Sequence, residues 1–188
     1  MMERIIIHWT AGTHNAGDLD RRHYHFVIEG DGTVVTGQYA PEDNESTATP
    51  YAAHTRSLNT GSIGVAFAAM HGAKERPFNA GKYPITEAQI DALTALVADL
   101  GDKYRIPITP RTILTHAEVQ GTLGVTQRGK WDVMWLPGMT QPGHPETVGN
   151  LLRERVRLAP AKAAEHQPAP WWVGIVVAFA AMFGGRKP

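Results

Sequence analysis

The chain has 188 residues, with 18 Lys and Arg balanced by 18 Asp and Glu, nine histidines and no cysteine. Zero net charge argues against a nucleic-acid binder, which neutralises phosphates with an excess of Lys and Arg. Without thiols there is no disulfide framework, and any metal site must use His, Asp, Glu or water.

The opening MMERIIIHWTAG has three apolar residues in a row before His8, too few for a signal peptide, and Arg4–His8 is expected to be a buried strand. Tyr24–Ile28 and Thr33–Gly37 read as a hairpin whose connection, Glu29-Gly30-Asp31-Gly32, carries two glycines suited to a tight turn. Ser62–Ala68 and Thr112–Thr115 are two further apolar strands. The clearest helix begins at Thr86, whose hydroxyl caps the first turn while Gln89 reaches back, with Ile85 and Ile90 as a hydrophobic staple. Ile90, Leu93, Leu96, Val97 and Leu100 then recur on one face of a helix. A second helix is expected from Pro145 or Glu146 to about Val156. Strands interspersed with helices predict an α/β domain, a central mixed sheet flanked by helices.

Three regions differ in texture. Residues 1–158 have the mixture of a folded domain, and 159–170, APAKAAEHQPAP, read as an Ala/Pro-rich linker. Residues 171–183, WWVGIVVAFAAMF, are uncharged and apolar, and Gly184, Gly185, Arg186 and Lys187 follow. As a helix this segment spans roughly 20 Å, short of a ~30 Å hydrocarbon core. The linker, the paired tryptophans and the basic flank favour membrane association of 171–185 as an apolar C-terminal helix.

Two strands end in histidine. His8 closes Ile5-Ile6-Ile7, and His116 follows Thr112-Ile113-Leu114-Thr115. If both strands deliver their imidazoles at one rim of the sheet, the pair could share a metal, with Asp132 as a third ligand. Two His and one carboxylate leave a position open on zinc, as catalytic zinc sites do. Spacing alone leaves His14, His23, His25, His54, His71 and Glu118 as competitors. His23 and His25 read as structural. Glu118 is a candidate for orienting a ligand imidazole.

The segments Ile5-Ile6-Ile7-His8-Trp9-Thr10-Ala11-Gly12, Tyr24-His25-Phe26-Val27-Ile28 and Asp31-Gly32-Thr33-Val34 resemble the type 2 N-acetylmuramoyl-L-alanine amidase family. Ala53-His54-Thr55, the NTGSIGVAF of 59–67, Thr115-His116-Ala117-Glu118-Val119 and Lys130-Trp131-Asp132 continue the match in order. The family includes bacteriophage lysozymes, muropeptide amidases and peptidoglycan recognition proteins, and the stretch from Thr115 to Gly138 looks most like phage and prophage endolysins. The resemblance covers roughly residues 4–140.

That resemblance implies one Zn2+ per chain, held by His8, His116 and Asp132, with Lys130 and Tyr24 as catalytic residues. It implies that His54 lines the substrate groove. The family often follows the last ligand with Pro-Gly; here Val133 follows, and Pro137-Gly138 comes later. The implied reaction is hydrolysis of the amide between N-acetylmuramic acid and L-alanine. Zinc suits it by providing a nucleophile at neutral pH and polarising the carbonyl, and Lys130 is suited to stabilise an oxyanion. The expected protein is a monomer made in the bacterial cytoplasm that acts on peptidoglycan as an endolysin. The alternatives are a non-catalytic peptidoglycan-binding module and a cytoplasmic muropeptide-recycling amidase.

Overall fold

The computed structural model describes residues 1–159. Five strands, β1 (Arg4–Trp9), β2 (Phe26–Ile28), β3 (Val34–Thr36), β4 (Ser62–Phe67) and β5 (Ile113–Thr115), form one sheet in the order β3-β2-β4-β1-β5. β1 lies parallel to β4 and β5, β4 is parallel to β2, and the β2–β3 hairpin is antiparallel. The sheet is therefore mixed, as the sequence pattern predicts. The helices are α1 (Asp18–His23), α2 (Glu87–Tyr104), α3 (His116–Leu123) and α4 (Pro145–Leu158).

Side chains alternate across a strand, and β1 uses both faces. Ile5, Ile7 and Trp9 enter a core with Ile90, Leu93 and Val97 of α2 and Val148, Leu152 and Val156 of α4. Ile6 and His8 point the other way. α2 starts as its sequence predicts: the Thr86 hydroxyl accepts from the Gln89 amide at 3.1 Å, and Gln89 Oε1 accepts from the Thr86 amide at 3.0 Å. The Gln89 side chain also donates to the carbonyls of Ile28 and Ala68, tying α2 to the sheet.

Two helices go beyond the pattern. α1, DLDRRH, buries no residue and has no apolar stripe to betray it; its acidic first turn and basic last turn complement the helix dipole. Tyr24 consequently caps α1 instead of opening β2. α3 begins at His116 itself and ends at Gly124 in the left-handed region. The linker from residue 160 on and the apolar 171–185 segment lie outside the described residues. Among the described residues, no helix is long and apolar enough to cross a membrane.

Candidate active site

Because β1 and β5 run parallel, their carboxyl ends share one edge of the sheet, where α/β folds commonly hold ligands. Ile7 pairs with Thr115, so the next residues, His8 and His116, emerge side by side with ring centroids 4.6 Å apart. Asp132 arrives on the loop after α3, where its carbonyl accepts from the Ala117 amide at 2.6 Å. Its Oδ2 lies 3.3 Å from His8 Nδ1 and 3.0 Å from His116 Nδ1. One potential ligand atom from each of the three residues falls within 4.8 Å of the others, and all three side chains are buried.

Hydrogen bonding decides which His8 nitrogen is free. The Ser62 carbonyl, 3.3 Å from His54 Nε2, can only accept, so that nitrogen carries a proton. Burial, chiefly, lowers the His54 pKa well below 6.5 and keeps the ring neutral. His54 Nδ1 is therefore an acceptor, 2.8 Å from the Thr55 hydroxyl and 3.2 Å from His8 Nε2, a setting that favours the His8 proton on Nε2. Burial also lowers the His8 pKa to about 4, leaving Nδ1 with a bare lone pair at neutral pH. Burial alone would raise the Asp132 pKa, but the imidazoles, His116 foremost, outweigh it and hold the carboxyl ionised below the usual range. With its proton on Nε2, His8 turns a lone pair toward a carboxylate whose ionisation otherwise draws on ring N–H donation. A bound cation relieves that opposition, and nitrogen and oxygen donors of this kind suit zinc. The donor set fits the metal.

In front of the trio is a pocket of about 130 Å³ lined by Trp9, Thr10, Ala11, Tyr24, His54, His116, Lys130 and Asp132. Trp131 packs edge-on against Trp9 with centroids 4.6 Å apart, pinning the loop between exposed Lys130 and buried Asp132. Tyr24, held at the end of α1, lies 5.1 Å from the His8 ring. Burial raises its pKa, with the Asp132 charge adding to the effect, so the phenol keeps its proton at neutral pH and remains a donor.

His54 touches the pocket wall, but its nitrogens face His8, Thr55 and Ser62. Gly64 on β4 leaves room for this ring; a Cβ there would overlap it. Of the other histidines, His25 accepts from the Gly64 amide at 2.9 Å, and His23 lies 3.0 Å from the Ala53 carbonyl. His14 lies 2.8 Å from the Pro84 carbonyl, and His71 lies edge-on to Tyr83 with centroids 6.3 Å apart. None of these four joins the His8–His116–Asp132 trio.

Glu118 supports the site from behind. Its Oε2 accepts from the Thr115 amide at 2.8 Å, fixing the backbone beside His116. Fully buried Arg153 of α4 grips the same carboxylate at 2.8 and 3.2 Å and donates to the Ile113 carbonyl at 2.7 Å. Gly149 makes room, since a Cβ there would collide with the Glu118 carboxylate. Gln127, also buried, places Oε1 2.9 Å from His116 Nε2. Neither Arg153 nor Gln127 stands out in the sequence, because an Arg on an amphipathic helix and a Gln in a loop both read as solvated.

An α/β sheet carrying a buried His-His-Asp trio at its strand ends offers a donor set that could hold a metal ion. Residues 2–138 match the Amidase_2 family model, N-acetylmuramoyl-L-alanine amidase, and the chain belongs to that family. Its enzyme class is accordingly N-acetylmuramoyl-L-alanine amidase, acting on peptidoglycan. No curated protein matches the chain.

Among solved structures, the hydrolase AmiA of Staphylococcus aureus is similar with a TM-score of 0.53 at 14% identity, over 84% of this chain and 74% of that one. The N-acetylmuramoyl-L-alanine amidase LysC of Clostridium intestinale URNW gives a TM-score of 0.49 at 20% identity, over 86% and 87%. The Ph2119 endolysin of a Thermus scotoductus bacteriophage gives 0.46 at 18%, over 82% and 84%. At these identities the AmiA likeness speaks for the fold alone.

Proposed function

We propose that the chain is a zinc-dependent enzyme of the endolysin type, cutting the amide between N-acetylmuramic acid and L-alanine. The observation that carries this is the convergence of His8 Nδ1 and His116 Nδ1 on the ionised Asp132, directly behind a small pocket that His116 and Asp132 line. These three residues would hold the metal. When bound, zinc supplies a nucleophile at neutral pH and polarises a carbonyl.

The surrounding residues then have distinct tasks. His54 keeps the His8 proton on Nε2 and so keeps Nδ1 free. Lys130 brings an ammonium to the pocket rim, suited to stabilising the oxyanion that forms as the amide is attacked. Tyr24 retains its proton and offers a hydrogen bond to the same developing charge or to the attacking group. A binding module without catalysis would have no use for this full set. Elemental analysis tests the reading: one zinc per chain is expected, with digestion of purified sacculi lost on chelation and restored by zinc. Robust digestion by fully metal-free protein would overturn it.

The division of the chain is part of the same proposal, with 1–158 as the catalytic domain, 159–170 as a linker and 171–185 as a membrane attachment. Truncation after Ala159 should leave a soluble, zinc-loaded domain that still cleaves sacculi, while the full chain sediments with membranes and resists a high-salt wash. A full chain that stays soluble would remove the attachment.

A further inference from the structure

We propose that Gln127 is the positioning residue for His116, its side-chain oxygen holding the imidazole proton on Nε2 and so committing Nδ1 to the metal. The inference rests on the zinc reading above and adds a residue to it.

The orientation of the Gln127 amide is not arbitrary. Its nitrogen lies 3.0 Å from the Arg56 carbonyl and 3.3 Å from the Val125 carbonyl, both of which can only accept. Rotating the amide by half a turn would set its oxygen against those two carbonyls. Oε1 is therefore the atom 2.9 Å from His116 Nε2, and an amide oxygen can only accept. The proton must sit on His116 Nε2. The backbone is held too, since the Gln127 amide donates to Gln120 Oε1 on α3 at 2.9 Å. The residue is 4% exposed, so water does not substitute readily for either contact.

His116 then reaches the same state as His8 by a different route. On His8 the Nε2 proton is held by His54 and Thr55; on His116 it is held by Gln127. The Arg56 carbonyl that orients Gln127 directly follows Thr55 in the chain, so one short segment supports both imidazoles. Partners of this kind fix ring orientation and raise ligand basicity, and losing one typically costs about 10–100-fold in metal affinity.

The test compares zinc dissociation constants of the full chain by chelator competition, for wild type, Gln127→Met and Gln127→Glu, beside melting curves of the zinc-free proteins. Gln127→Met removes the acceptor and should weaken zinc about 10–100-fold with the fold retained. Gln127→Glu keeps an oxygen toward His116 while losing the amide donors to Arg56 and Val125. It should bind zinc more tightly than Gln127→Met. Equal loss in both would reduce Gln127 to a loop tether, and wild-type affinity in Gln127→Met would also overturn the proposal. Should Gln127→Met not fold, the wild type decides by NMR. With zinc loaded, the His116 ring proton should sit on Nε2 beside the Gln127 side chain, and a proton on Nδ1 would contradict it. A wild type that binds no zinc removes the parent reading as well, whereas tight wild-type binding with no change in Gln127→Met removes only the role of Gln127.

Discussion

His8 and His116 each follow one member of the Ile7–Thr115 register pair, yet the chain secures them by different means. β1 lies inside the sheet between β4 and β5, so both sides of its backbone are held by ladder hydrogen bonds. β5 is a three-residue edge strand with one neighbour, and His116 already belongs to the helix that follows. What the ladder does for His8 must be done for His116 by side chains: Glu118 on the Thr115 amide, Arg153 on Glu118, and Gln127 on the ring. A ligand at a sheet edge thus needs a polar cluster for backbone and ring alike, whereas a ligand inside the sheet has its backbone held by the ladder and needs side chains, here His54 and Thr55, only for its ring.

The largest effect should erase that difference. His8→Ala and His116→Ala each remove a proposed ligand, and both should abolish bound zinc and amidase activity. Elemental analysis showing full zinc content in both variants would remove the assignment.

The next effect should expose the difference. Arg153→Met leaves the buried Glu118 carboxylate without its cation, and breaking a buried pair in this way costs about 3–5 kcal/mol. Thermal or denaturant unfolding of the zinc-free domain should show that loss. An unchanged midpoint would mean that the pair contributes nothing to holding the His116 side.

Lys130→Ala tests the pocket rim and should spare both histidines. Zinc should be retained while turnover falls about 10²–10³-fold, the cost of one oxyanion donor in other enzymes. Wild-type rates would return Lys130 to the solvent.

The last effect is a pH dependence of the zinc-free fold. Burial lowers the pKa values of His8 and His25 from 6.5 to about 4 in the folded chain. Between those values the unfolded chain binds more protons, so stability should fall as pH drops from about 6.5 toward 4. Unfolding curves that stay flat across that window would contradict the neutral, buried state of these rings.

What the sequence reveals follows the same division. His8 and His116 are readable because each ends an apolar run, and α2 is readable because its capping box and apolar stripe are local. α1 and α3 are hidden by their polar composition, so Tyr24 moves from a strand to a helix end, and His116 from a strand end to a helix start. Arg153 is hidden because nothing local separates it from Arg155 and Arg157 on the same helix. Its burial against Glu118 exists only once α4 packs across β5. Gln127 is hidden likewise: its partners lie at Arg56 and His116, distant in sequence, and only the fold brings them together.

The central claim is the choice of bond. Mass spectrometry of the products released from purified sacculi by the zinc-loaded full chain tests it most directly. Stem peptides bearing a free L-alanine amine, with glycan strands left intact, are the predicted result. New reducing sugar ends with no new amines would contradict it.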